Sequence, residues 1–198
     1  MVGTVEGFIG WRIKDKKVKE VKYPKFKPRM VELTLPGACL NNPYVDSVCS
    51  LGDGLLATKC VGMGKILVFR ADFGGLIKDI FKLAILATFV WHMTDNFYMN
   101  IGGSVDLGLM ACGDDQGRTW IYKLPTNLTG EIPGPPDHEQ TVLPVGHLPW
   151  PDLGKHAVVS GQTMLDKVAF SPCGQYLVAV TDTNIIAIWR RGMRGASA

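Results

Sequence analysis

The chain has 198 residues, 46% of them hydrophobic and 20% charged, which suits one packed domain and is too apolar for a disordered chain. A net charge of +3 is too small to make nucleic acid the expected partner on charge alone. The five cysteines, Cys39, Cys49, Cys60, Cys112 and Cys173, are odd in number and form no CxxC pair, which argues against a zinc site or a secreted disulfide framework and reads them as reduced core thiols.

Residues 1–13 carry an apolar and aromatic run, Gly7 to Ile13, that ends in Trp11-Arg12 and reads as the tail of a strand unit with no partner before it. Residues 14–43 follow as a basic and Pro-rich connection: Lys14, Lys16, Lys17, Lys19, Lys22, Lys25, Lys27 and Arg29 stand against only Asp15 and Glu20. Such a run is a solvated sheet edge before it is a nucleic-acid patch. Residues 44–70 form the first complete repeat, with strands expected at Val45–Cys49, Leu55–Val61 and Ile66–Phe69 and turns at Gly52-Asp53-Gly54 and Gly62-Met63-Gly64. The most apolar window, Leu83 to Val90, is too short to span a bilayer, and no signal peptide precedes the globular pattern, so a soluble intracellular protein is expected.

Residues 85–124 make the second repeat, with strands near Asn96–Ile101, Leu109–Cys112 and Thr119–Tyr122 and turns at Gly102-Gly103 and Gly113 to Gly117. A Pro-rich insertion, residues 125–140, leads to the last repeat, residues 141–191. There Ser171 to Gly174 is a turn, Tyr176–Val180 a strand, Thr181–Asn184 a second turn, and Ile185–Trp189 a strand closing on Trp and charge. Short apolar strands separated by four-residue turns, each unit closing on an aromatic (Trp11, Phe69, Tyr122, Trp189), are the rhythm of an all-β WD-repeat β-propeller. Gly146-His147 resembles the Gly-His that opens many such repeats. Three blades and a tail fall short of the roughly four to eight that close a propeller, so the chain is expected to be the C-terminal part of a longer one, seven-bladed by the resemblance below, a truncated gene product, or a subunit completed by another copy, with the start inside a blade favouring truncation.

The second repeat, Ile85 to Leu124, resembles the penultimate blade of the Polycomb WD-repeat proteins of the EED and extra sex combs family. It registers without a gap through Ile85-Leu86, Phe89, Asp95, Tyr98-Met99, Leu109, Ala111, Gly113 and Gly117. The first repeat is similar to the preceding family blade through Tyr44-Val45-Asp46, Leu51-Gly52-Asp53 and Lys59, and the last through Phe170-Ser171, Ala179-Val180, Asp182 and Trp189-Arg190. A similar propeller belongs to an origin-associated protein with leucine-rich and WD repeats. The family resemblance implies a non-catalytic nuclear scaffold in Polycomb transcriptional repression. Its expected partners are a SET-domain histone methyltransferase subunit, a trimethylated histone tail and other Polycomb subunits, with no cofactor, metal or membrane and no direct nucleic-acid contact.

By the same registration two positions of the family's methyl-lysine cage fall at Phe97 and Tyr98, where the family has Trp-Tyr. A quaternary ammonium cannot donate hydrogen bonds but is drawn to aromatic faces, and Phe offers a weaker face than Trp. Asn100 stands where the family has Arg. The remaining cage walls would belong to blades outside these residues, and the bland alternative makes Phe97 and Tyr98 strand aromatics packed between blades. Other chemistry has little support: His92, His138, His147 and His156 are scattered without metal-ligand spacing, and Asp114-Asp115 lies in a Gly-flanked stretch where a tight turn is expected. A protein-interaction adaptor without methyl-lysine binding, or a chromatin contact through the basic segment, are the rival readings.

Overall fold

The computed structural model describes residues 45–70, 85–128, 140–150 and 163–192 in full, and the backbone of the strands at 2–4, 7–12, 29–34 and 80–82. In chain order the strands are β1 (Val2–Thr4), β2 (Gly7–Arg12), β3 (Arg29–Thr34), β4 (Val45–Gly52), β5 (Leu55–Cys60), β6 (Lys65–Arg70), β7 (Ile80–Lys82) and β8 (Ile85–Val90). They continue as β9 (Ile101–Ser104), β10 (Leu109–Gly113), β11 (Thr119–Lys123), β12 (Gln140–Val142), β13 (Gly146–Leu148), β14 (Leu165–Phe170), β15 (Tyr176–Thr181) and β16 (Ile186–Arg190). One 3₁₀ turn, Thr126–Leu128, completes the described elements. No described helix is long and apolar enough to cross a membrane.

The strands form four sheets, in the spatial orders β1-β2-β3-β7, β12-β8-β6-β5-β4, β13-β11-β10-β9 and β14-β15-β16. Neighbouring sheets stack through their first strands, with β1 against β4, β4 against β9 and β9 against β14. This is an all-β WD-repeat fold made of successive blades whose strands pair antiparallel except at β3–β7 and β8–β12. The driving force is visible in the burial pattern. In β6 the side chains of Ile66 and Val68 join one apolar cluster with Phe89 of the same sheet and Met110 and Tyr122 of the following one, while Leu67 and Phe69, on the opposite face, join Val45 and Cys60. A strand apolar on both faces is what a sheet sandwiched between two others requires.

The third and fourth sheets meet with almost no space between backbones. A Cβ on Gly102 would clash with the carbonyl of Val168, and one on Gly113 would lie 2.5 Å from the carbonyl oxygen of Leu165. Glycine is the residue that lets two main chains approach this closely. That contact also explains a difference from expectation: Gly102-Gly103, read as a turn, lies inside β9, because the pair of glycines serves blade packing and not chain reversal.

Blade boundaries differ from repeat boundaries. Ile85–Val90, assigned to the second repeat, pairs antiparallel with β6 and completes the first repeat's sheet, and Gly146–Leu148, assigned to the last repeat, pairs with β11 of the second. The second and last repeats therefore each contribute a strand to the sheet before them. The strand expected at Asn96–Ile101 is replaced by a loop, with pairing beginning at Asn100 and Ile101. At the N-terminal end, the strand read as an unpartnered tail pairs with β1. Arg29–Thr34, placed in the connection, is a strand pairing with β2 on one side and β7 on the other. The lysines between Lys14 and Lys27 lie outside the described residues. Of the cysteines, Cys60 and Cys112 are buried thiols, Cys49 is half-buried, and Cys173 is exposed in the β14–β15 turn rather than in the core; Cys39 lies outside the described residues.

Candidate functional site

Phe97 and Tyr98 sit on the loop Trp91–Met99 that carries the chain from β8 to β9, at the end of the blades where the β5–β6 and β10–β11 turns lie. Both are exposed, Phe97 at 41% and Tyr98 at 73%, so they are not rings packed between blades. Their centroids are 6.1 Å apart with planes tilted by 47°. Exposed aromatic faces attract a cation through their negative quadrupoles.

The loop is held at every stage. Its start is tied to the first hairpin turn by the Trp91 N–H donating to the Gly64 carbonyl (2.9 Å), and its middle by the Gly62 N–H donating to the Thr94 carbonyl (3.0 Å). The second hairpin turn supplies Asp115. Its carboxylate accepts from the Thr94 hydroxyl at 2.6 Å and the Asn96 amide at 3.1 Å, and His92 Nε2 lies 3.1 Å from its other oxygen. The far end is tied to the fourth sheet: the Asn100 N–H donates to the Asp166 carbonyl (2.8 Å), and the Asn100 amide bridges the Tyr98 and Asp166 carbonyls at 2.7 and 3.0 Å. Asn100 thus acts as a clamp.

Between these ties Tyr98 takes a left-handed backbone conformation, φ 72°. For a residue with a Cβ that costs about 1–2 kcal/mol, and residues so strained persist where surrounding structure enforces them. The Asn100 amide holds the Tyr98 carbonyl, and the Tyr98 N–H lies near the Asp46 carboxylate.

Asp46 leads to the unusual feature beneath the loop. Lys59 is completely buried, its ammonium 2.5 Å from Asp46 Oδ2 and 4.5 Å from the centroid of the Trp91 ring. The Trp91 indole N–H donates in turn to the Gly113 carbonyl at 3.1 Å in the next sheet. Burial pushes the Asp46 carboxyl above the usual carboxylate range, with Lys59 pulling the other way, and Asp46 Oδ1 has no hydrogen bond of its own. Composition and motif reading missed this group; its trace in the sequence is a single Lys inside the apolar strand Leu55–Cys60.

Asp114 and Asp115 do occupy the expected turn, and the two carboxylates diverge. Asp114 is buried and accepts from the backbone N–H groups of Gln116 and Arg118, from Arg118 Nε and from the Trp120 indole, all between 2.7 and 2.9 Å, so it closes the turn. Asp115 faces the aromatic loop. Burial opposes ionisation of Asp115, but the Thr94 and Asn96 hydrogen bonds and His92 together outweigh it and hold the carboxyl below its ordinary value of 3.8. A depressed carboxyl contributes stability above its unfolded value and loses it as pH falls through the folded one. Hydrogen exchange at the Gly62 amide should therefore accelerate as pH falls below about 3.8, after correction for intrinsic rates; in Asp115→Asn this acid-dependent part should vanish.

His147 lies on β13 with its ring 5.4 Å from that of Trp120, an outer-strand packing contact. Among the described residues no group of three or more His, Cys, Asp or Glu is placed to hold a metal ion. At the opposite ends of the strands, an open cavity of about 790 Å³ lies between turns of the second and third sheets and the end of β16, lined by Asp53, Asp106, Leu107, Lys123, Thr126 and Arg191 among others.

Comparison with known proteins gives a likeness in fold and a likeness in sequence. A crystal structure of the polycomb repressive complex 2 of Chaetomium thermophilum contains a chain that superposes with a TM-score of 0.50 over 77% of this chain and 52% of its own length, at 12% identity; this likeness is one of fold. In sequence, human leucine-rich repeat and WD repeat-containing protein 1 is 31% identical over 150 residues, covering 74% of this chain, and the Danio rerio protein is 29% identical over 159, covering 76%. The chain spans about a fifth of the length of these relatives, 23% and 20%. Membership of the EED family is not supported by these matches, whereas the family model for the WD domain of leucine-rich repeat and WD repeat-containing protein 1 matches residues 27–192. The chain belongs to that family of WD-repeat domains.

Proposed function

We propose that this WD-repeat domain is a non-catalytic scaffold of a nuclear chromatin assembly that reads a trimethylated lysine of a histone tail through Phe97 and Tyr98. The observation that carries the reading is the exposure of two tilted rings, 6.1 Å between centroids, on a loop tied to three sheets and strained at Tyr98. A surface that needed only solubility has no reason to hold two aromatics out of the core in a costly backbone conformation. The Phe in place of Trp predicts a looser cage than the Polycomb resemblance implies.

The cavity at the other end of the blades supports a second partner on the opposite face, and its mixed lining of Asp53, Asp106, Lys123 and Arg191 suits a segment with charges of both signs. A SET-domain histone methyltransferase subunit in a repressive, Polycomb-type complex is the partner that the family resemblance implies, and the fold likeness to a chain of polycomb repressive complex 2 is compatible with it. Titration of the domain with trimethylated and unmethylated lysine peptides tests the reader. Binding should require methylation and weaken about tenfold or more in Tyr98→Ala, since one cation–π face contributes about 1–2 kcal/mol when desolvated. Equal affinity for methylated and unmethylated peptides would leave a protein-interaction adaptor in its place.

A further inference from the structure

Two aspartates of the fourth sheet stand next to the Phe97–Tyr98 loop and share no cation. β14 carries a β-bulge between Leu165 and Lys167, and its extra residue is Asp166. Bulges interrupt the ladder and re-aim the residue they insert. This one turns the Asp166 carbonyl to Asn100, which donates to it from both its N–H and its side-chain amide, and the same amide holds the Tyr98 carbonyl. Asp182, in the turn after β15, is fixed alongside. Its Oδ1 accepts from the Met164 N–H at 3.2 Å, and its own N–H donates to the Met164 carbonyl at 3.3 Å.

Burial and the neighbouring Asp182 carboxylate both hold the Asp166 carboxyl above its ordinary value of 3.8. Like charges held together cost free energy that a shared cation would recover, yet neither aspartate joins an ion pair among the described residues. Asp95, exposed on the loop itself, adds a further carboxylate two residues before Phe97. Beneath the loop the Asp46 side chain is only 3% exposed, and its Oδ1 has no hydrogen-bond partner although the Tyr98 N–H lies beside the carboxylate. The two rings therefore sit in surroundings that favour positive charge on more than one side.

We propose that Asp166 and Asp182 are specificity-determining residues of the Phe97–Tyr98 site, which take the guanidinium of an arginine neighbouring the methylated lysine. The inference rests on the reader function proposed above and adds the sequence context in which it operates. Arginine suits the pair better than lysine, because its planar fork of donors can address two carboxylates at once whereas an ammonium is a point charge. The spacing is short. The Tyr98 and Asp166 carbonyls accept from one amide nitrogen, and an extended chain advances about 3.3 Å per residue, so the arginine is adjacent to the methylated lysine or next but one.

Fluorescence anisotropy titration of the purified chain with three synthetic peptides tests this. The first holds trimethyl-lysine in a glycine-serine frame, the second adds arginine on both sides of it, and the third is the arginine peptide with unmodified lysine. Arginine should tighten binding of the methylated peptide about fivefold or more, with the gain shrinking as salt rises. In Asp166→Asn/Asp182→Asn, which keeps side-chain shape and an Oδ1 acceptor at both positions, the gain should vanish. Affinity for the arginine-free methylated peptide should stay as in wild type, which also shows that the variant is folded. Equal affinity of wild type for the two methylated peptides, or a gain that survives in the double variant, overturns the proposal and leaves the methyl-lysine reading standing. Arginine-dependent binding that ignores both methylation and Tyr98→Ala overturns the reading itself, and with it the placing of an arginine beside a methylated lysine.

Discussion

Replacing Lys59 with alanine is expected to lower the unfolding free energy by about 3–5 kcal/mol, because removing one partner of a buried ion pair strands the other charge. The structure says why the cost lies at the top of the usual range for a single substitution. Lys59 is fully buried, its partner Asp46 is nearly so, and the Trp91 ring over the ammonium would lose its cation as well. Asp46 would then keep only backbone neighbours. Replacing both partners together, Asp46→Leu with Lys59→Met, should recover most of the loss, since apolar pairs of similar size can match a buried ion pair. Urea unfolding of the two single variants and the double variant gives the coupling directly.

The pH dependence of the same variant checks the mechanism. Burial already raises the Asp46 carboxyl above 3.8 while Lys59 opposes the rise, so losing Lys59 raises it further. A carboxyl whose folded value exceeds its unfolded one destabilises the fold at high pH and stops doing so once it takes up a proton, so stability rises as pH falls from the folded value toward the unfolded one. The deficit of Lys59→Ala relative to wild type should therefore shrink on acidification and be smallest near pH 3.8 and below. A deficit independent of pH would mean that lost packing of the lysine stem, and not a stranded carboxylate, sets the cost.

The blade rhythm was legible in the sequence because it rests on short-range chemistry. Apolar runs such as Ile66–Phe69 and turn residues such as Gly62-Met63-Gly64 and Asp114 to Gly117 declare hairpins within a dozen residues, and β5, β6, β10, β11 and β15 fall within a residue or two of the expected places. Strand partners that are remote in sequence were not legible. Nothing local tells that Ile85–Val90 closes the preceding sheet, or that Gln140–Val142 adds to it in parallel. Phe97 and Tyr98 were found through a family resemblance, and sequence alone could not separate rings held into solvent from rings packed between blades. The loop that presents them is shaped by Asp115, Asn100 and Asp46, residues of the second and third sheets or their turns, and by the Asp166 carbonyl of the fourth, whose convergence is a property of the stacked blades. A lone lysine in an apolar strand was the one local hint that a buried charge pair lay underneath.

Gly113→Ala is the second substitution from which a large loss is expected, about 3 kcal/mol or more, for a reason opposite to that of Lys59: too much matter in place of a missing charge. A Cβ there would clash with Leu165 Cβ and lie 2.5 Å from the Leu165 carbonyl oxygen. Neither atom belongs to a movable side-chain end, so relief requires the third and fourth sheets to separate. Overpacking in a close-packed core costs about 1–3 kcal/mol when side chains can adjust, and more is expected where backbone must move. Separation would also strain the hydrogen bond from the Leu165 N–H to the Asp114 carbonyl (3.1 Å) and that from the Trp91 indole to the Gly113 carbonyl. Gly103→Ala provides the internal comparison. Its closest clash is with Leu51 Cδ2, at 2.6 Å, the tip of a flexible side chain, so rotation of Leu51 should relieve most of it and the loss should be smaller. Thermal or urea unfolding of the two variants side by side orders them. If Gly103→Ala proved as damaging as Gly113→Ala, the main-chain approach of the last two sheets would not be what makes Gly113 necessary. The expected order would instead show that blade stacking in this family is limited by backbone contact, and that the platform carrying Asp115, and through it the Phe97–Tyr98 loop, depends on a glycine that touches neither ring.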